Sequence, residues 1–193
     1  VGVVDDLLVD RAFVEARQTS AAELCSIGDL ESPAPHFVAN ALAASALARS
    51  LGVPPVAVRD GLRGFRADGH RIAPVGQVAG VTYVDDSKAT NPHAAAASLA
   101  AYPSVVWVAG GLAKGAHFDE LVARMKVRLR GVVLLGRDRA VIAEALARHA
   151  PDVPVREVVA DETGAHGGSV MDRVVDAAAG LARPGDTVLL APG

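Results

Sequence analysis

The chain has 193 residues, 51% of them hydrophobic, and 19 Lys and Arg against 22 Asp and Glu give a formal net charge of −3. That balance excludes the basic face of a nucleic-acid binder or of a protein drawn to anionic lipid, and no apolar run approaches the ~20 residues that a membrane-spanning helix needs. The single Cys25 excludes an internal disulfide framework and suits a reducing, cytoplasmic compartment, while the apolar content suffices for a core that buries roughly 70% of the unfolded chain's surface.

Residues 1–4 and 7–9 read as two short strands about a turn at Asp5-Asp6. Residues 19–24 are expected to form a short helix, and 31–35 a loop. The Ala- and Leu-rich run 38–51 (VANALAASALARSL) predicts a helix, stopped by Gly52 with Pro54 beyond. Residues 54–65 predict a second, with Pro55 in its first turn. The polar, Gly-containing stretch 64–69 marks a domain boundary, giving domains 1–67 and 68–193. Beyond it strands and helices alternate: strands over 73–80, 81–85, 104–109, 131–135, 155–159 and 187–190, helices over 92–101, 118–129, 139–149 and 170–182, and a mobile loop over 161–169. Short apolar strands alternating with helices predict an α/β fold, a parallel Rossmann-like sheet covered on both faces. Ligands of such sheets bind beyond the carboxyl ends of the strands. The chain opens without Met and closes on Ala191-Pro192-Gly193 at the end of a strand, so a fragment of a longer protein is expected.

The densest polar cluster, residues 85–93 (DDSKATNPH), lies on such an edge. Adjacent carboxylates at Asp85 and Asp86 can bind ribose hydroxyls or a metal-bound nucleotide, and Lys88, one of only three lysines with Lys114 and Lys126, is a compact charge suited to phosphate or carboxylate. Thr90 or Asn91 can cap the following helix. The same residue types also suit a solvated turn. A second cluster, Gly110-Gly111-Leu112-Ala113-Lys114-Gly115, allows close backbone approach to a ligand and adds a cation, or makes a tight strand-to-helix turn. It matches neither G-x-G-x-x-G nor G-x-x-x-x-G-K-[ST]. The third is Gly69-His70-Arg71 at the boundary, where an arginine can reach a phosphate or merely decorate a surface loop. His36 and Asn40, four apart on one helix face, complete the set; Asn40 can read an adenine edge or bond to backbone. No His or Cys spacing fits a metal site, and no G-x-S-x-G elbow is present.

In order along the chain, H-x-x-x-N-A-L-A-A (from His36), G-H-R (Gly69-His70-Arg71), D-S-K-A-T-N (Asp86–Asn91), G-G-x-x-K-G and a final strand ending in A-P resemble the Mur ligase family. Asp6–Phe13 (DLLVDRAF) is similar to the family's central-domain hairpin. The D-S-K-A-T-N-P version of the middle motif resembles the members that add D-glutamate, whereas folylpolyglutamate synthases carry A-H-N-P there. The resemblance implies that residues 1–67 end a mixed α/β central ATPase domain and that 68–193 are most of a C-terminal, D-glutamate-binding Rossmann-like domain. It implies ATP and magnesium as cofactors, UDP-N-acetylmuramoyl-L-alanine and D-glutamate as partners, and a monomer. By motif match, Asn40 would contact adenine, Arg71 with His70 beside it the ATP phosphates, and Asp86 the ribose. Lys88 would lie near the acyl phosphate, with Arg71 and Lys88 as the catalytic pair. Ser87, Thr90 and Lys114 would hold D-glutamate. Phe37 stands where the family usually has Asn, and no Walker A loop or carbamylated lysine is present. The 193 residues alone are therefore expected not to ligate. A folylpolyglutamate synthase-like ligase and a non-catalytic nucleotide-binding domain are the competing readings.

Overall fold

The computed structural model of the chain describes residues 1–112, 115–159 and 169–193. They divide into two compact units, Val1–Asp68 and Gly69–Gly193.

In the first unit β1 (Gly2–Val4), β2 (Leu7–Asp10) and β3 (Ala22–Ser26) form an antiparallel sheet in that order, followed by α1 (Pro35–Ser50) and α2 (Pro55–Gly64). Each helix begins on a proline, whose missing N–H would have had no intrahelical partner there. Strand β3 corrects the helix expected over 19–24. Pairing with β2 sets Leu7 opposite Ser26 and Leu8 opposite Cys25, which buries Leu8, Leu24 and Cys25 in one cluster with Ala41 and Val58. That burial outweighs the weak helical preference of a six-residue segment.

One buried ion pair ties this unit together. Asp10 is fully buried and Arg49, on α1, is 9% exposed. The Arg49 Nε donates to Asp10 Oδ2 at 2.6 Å, and its Nη atoms donate to the Val53 and Phe13 carbonyls at 2.5 and 2.9 Å. The other carboxylate oxygen accepts the Ala12 and Phe13 N–H groups at 2.9 and 3.0 Å. Burial pushes the Asp10 carboxyl up, but these hydrogen bonds outweigh it and hold the group below its ordinary value.

The second unit is a six-stranded sheet. Its elements are β4 (Ala73–Val78), β5 (Val81–Asp85), α3 (Pro92–Ala100), β6 (Val105–Gly110), α4 (Asp119–Met125), β7 (Leu129–Leu135), α5 (Arg139–His149), β8 (Val155–Val158), α6 (Val170–Ala179) and β9 (Thr187–Leu190). The strand order is β4-β5-β9-β6-β7-β8; β4 runs antiparallel to β5 and all other pairings are parallel. Alternate residues of β6 divide the core: Val105, Trp107 and Ala109 face the cluster built with α3, α4 and α5, while Val106 and Val108 face the one built with α6. This is why the strand reads as an unbroken apolar run. The helix expected over 118–129 ends at Met125; one 3-10 turn, Lys126–Arg128, follows, and Leu129 already pairs with Val105. Residues 161–168 of the expected loop lie outside the described residues.

At the amino end of β9, Asp186 is 4% exposed and its Oδ2 accepts from Arg130 Nε at 3.1 Å and from the Arg183 N–H at 2.8 Å. Burial pushes the carboxyl up; hydrogen bonds from Ser104, Arg183 and Arg130 overcome that and leave it below the ordinary range. A depressed folded-state value means that the stabilisation is complete above the unfolded value of about 3.9 and is lost as pH falls through the folded one. Urea midpoints measured between neutral pH and about pH 3 should therefore fall less in Asp186→Asn than in the wild type.

Candidate active site

The carboxyl ends of the parallel strands converge through backbone hydrogen bonds. The Asp86 N–H donates to the Leu190 carbonyl at 2.9 Å, that of Gly110 to Pro192 at 3.0 Å, that of Asp138 to Gly111 at 3.0 Å, and that of Gly193 to Ala89 at 2.8 Å. The buried indole of Trp107 donates to the Ala191 carbonyl at 2.8 Å. The loops after β5, β6, β7 and β9 are thus stitched into one edge. Gly110 is indispensable to it: with φ of +120°, a Cβ here would sit 1.9 Å from the Leu135 carbonyl oxygen. Gly111, at φ +135°, has no atom of the described residues within 4 Å of where its Cβ would point. Of the two readings of this Gly pair, close packing therefore holds at Gly110. Lys114 lies outside the described residues.

The loop from β5 to α3 sorts its residues by burial. Asp86 and Ala89 are buried at 6% and 2% exposure, whereas Lys88 and Thr90 between and beyond them are exposed and Ser87 is half-buried. The Asn91 side chain accepts the Ala94 N–H at 2.9 Å and caps α3; Thr90 is thereby left out of the cap. Asp86 accepts the Ile72 N–H on Oδ1 at 3.2 Å and the Ser98 hydroxyl on Oδ2. A carboxylate oxygen has two lone-pair directions, so each can still accept one further hydrogen bond. Ser98, on α3, is a supporting residue that the sequence did not disclose.

The boundary segment packs onto this loop. The His70 Nδ1 lies 2.5 Å from Asp85 Oδ2, and the Lys88 N–H donates to the His70 carbonyl at 3.3 Å. Asp85 Oδ1 also accepts the Ser87 N–H at 2.9 Å. Burial raises the Asp85 carboxyl, but the bonds from His70 and Ser87 more than compensate, so it sits below the usual carboxylate range. His70, Arg71, Asp86, Ser87, Lys88 and Thr90 are therefore brought together in the second unit, with His70, Arg71, Lys88 and Thr90 exposed. Asn40 is on α1 of the first unit and exposed, while His36 is half-buried against Phe37, ring centroids 5.0 Å apart. Among the described residues no three His, Cys, Asp or Glu side chains group as a metal site. Among them no helix is long and apolar enough to cross a membrane.

Residues 70–193 match the model of the family described as Mur ligase, glutamate ligase domain. The whole chain is 66% identical to 40% of the UDP-N-acetylmuramoylalanine--D-glutamate ligase of Streptomyces avermitilis. It is 62% identical to 40% of the ligase of that name from Thermobifida fusca, and 50% identical to 42% of the one from Mycobacterium tuberculosis. The chain therefore spans about two-fifths of the length of these relatives. Among solved structures, MurF from Acinetobacter baumannii matches 96% of the chain with 40% of its own, at a TM-score of 0.59 and 18% identity. UDP-N-acetylmuramate-alanine ligase MurC from Thermotoga maritima matches 92% with 38% of its own, at 0.57 and 18%. At that identity the two share the fold.

Proposed function

Since this chain belongs to the Mur ligase family, we propose that the full-length protein joins D-glutamate to UDP-N-acetylmuramoyl-L-alanine at the expense of ATP, as a cytoplasmic monomer. Residues 1–67 then end its central ATP-binding domain, and 68–193 form most of its D-glutamate-binding domain. The observation that carries the reading is the sorted loop after β5: Asp86 and Ala89 anchor it in the core while Lys88 and Thr90 are presented at the ligand edge, next to exposed Arg71.

The chemistry activates a carboxylate by phosphorylation and lets an amine displace the phosphate. Every reactant is anionic, so a site that catalyses it needs fixed cations and hydrogen-bond donors. In this reading Arg71 and Lys88 neutralise phosphate charge as it moves to the acyl group, and Lys88 steadies the acyl phosphate. Ser87, Thr90 and Lys114 hold the carboxylates of D-glutamate and aim its amine. Asp86, with one acceptor position left on each oxygen, can take ribose hydroxyls, and His70 and Asn40 complete the nucleotide contacts. In this reading magnesium accompanies the ATP phosphates.

The test is ADP release by the full-length protein with magnesium, ATP and UDP-N-acetylmuramoyl-L-alanine, comparing D-glutamate with L-glutamate. Release should depend on D-glutamate, and Lys88→Ala should lower kcat by about 100-fold, as expected for loss of one charge-stabilising donor. Release without that dependence would instead favour a folylpolyglutamate synthase-like ligase, and no release a non-catalytic nucleotide-binding protein.

A further inference from the structure

We propose that Asp85 is a positioning residue which, by gripping the His70 ring, holds Arg71 at the carboxyl edge of the sheet. The motif that marks the family begins at Asp86, so this role is additional to the residues assigned above, and it rests on the ligase reading.

The segment that carries Arg71 would not hold its shape unaided. Gly69, His70 and Arg71 are all exposed, so packing contributes little. The backbone is left-handed at both His70 (φ 68°) and Ile72 (φ 47°). L side chains rarely adopt that region, and β-branched ones least of all. Such a conformation persists only where surrounding bonds over-determine it. Three do so, and they bracket Arg71 on both sides. On one side the His70 ring meets Asp85 at 2.5 Å and the His70 carbonyl accepts the Lys88 N–H at 3.3 Å. On the other the Ile72 N–H reaches Asp86 at 3.2 Å.

Of these, the Asp85 bond is the one made by a side chain with no place in the assigned chemistry. Its second oxygen holds the Ser87 N–H at 2.9 Å, so a single carboxylate spans the Arg71 segment and the start of the Lys88 loop. His70 is 65% exposed at its side chain and Asp85 21%. A ring this open to water is directed chiefly by its hydrogen-bond partner. Freed from it, the segment can relax out of its left-handed turn, and Arg71 loses the fixed backbone from which it reaches phosphate.

The experiment compares Asp85→Ala and Asp85→Asn in the full-length protein by steady-state kinetics and thermal unfolding. In Asp85→Ala, kcat/KM for ATP should fall about tenfold, the effect of losing one charge-assisted hydrogen bond, while KM for D-glutamate should change by no more than about threefold, because among its proposed binding groups only Ser87 loses a bond, and that at its backbone N–H. Asp85→Asn should restore most of the activity. Its amide oxygen still accepts from Ser87, and its NH2 donates to Nδ1 of a neutral His70 ring. An Asp85→Ala enzyme with unchanged kcat/KM for ATP, or one equally impaired toward both substrates, overturns the inference. So does an Asp85→Asn enzyme as impaired as Asp85→Ala. A wild-type protein without D-glutamate-dependent ADP release overturns the ligase reading and this inference with it.

Discussion

Adding one methyl group at Gly110 is expected to cost at least about 4 kcal/mol, enough to remove most of the stability of a domain at the lower end of the ordinary range. The backbone there has φ of +120°, and the new Cβ would lie 1.9 Å from the carbonyl oxygen of Leu135, with further backbone atoms of that residue at 3.0 and 3.2 Å. The obstacle is main chain in a central strand pair, β6 on β7, so no rotamer change can relieve it. Separation of the two strands would break hydrogen bonds and open the core on both faces. Gly111→Ala provides the control: the backbone strain is of the same kind at φ +135°, but among the described residues nothing stands within 4 Å, so about 1–3 kcal/mol is expected. Urea denaturation followed by circular dichroism should separate the two variants. Equal stabilities would mean that strain, and not collision, governs this edge.

The second large effect is expected in the other unit. Arg49→Ala should destabilise by about 3–5 kcal/mol, because it strands a buried carboxylate. Asp10 is fully buried, and after truncation only the Ala12 and Phe13 N–H groups remain to it. The carbonyls of Phe13 and Val53 lose their donors as well. Because most of the penalty comes from the abandoned charge, removing both partners together should cost less than the sum of the single changes. A double-mutant cycle of Asp10→Ala and Arg49→Ala, read as urea midpoints, should return a coupling of about 2 kcal/mol or more. Strict additivity would show that the pair contributes little as a pair.

Neither of these anchors could be read from sequence. Asp10 and Arg49 are 39 positions apart, and nothing in their local patterns distinguishes them from solvated surface charges. Gly110 was recognisable as unusual, but whether a Gly pair approaches a ligand or another strand depends on the partner's register. What local pattern did carry was the alternation of strand and helix in residues 69–193, where buried strands are continuous apolar runs and breakers fall between elements. It failed over residues 19–24, where pairing with β2 decides the structure, and over 126–129, where a helix gives way to a strand without a Gly or Pro to mark the change. The candidate site shows the same division. The motif from Asp86 to Asn91 named the candidate residues. That Asn91 alone caps α3, that Ser98 supports Asp86, and that Asp85 holds His70 are facts of three-dimensional contact.

The placement of Trp107 has a spectroscopic consequence. It is the only tryptophan among the 193 residues, it is fully buried in the middle of β6, and its indole N–H bonds to the backbone just past β9. The intrinsic tryptophan emission of the chain therefore belongs to the second unit alone and comes from an apolar, hydrogen-bonded setting at the centre of its sheet. The first unit has no tryptophan and is dark to this probe. A fluorescence transition would thus time the opening of the Gly69–Gly193 sheet, while far-ultraviolet dichroism sums both units. Any gap between the two curves would measure how independently the halves unfold.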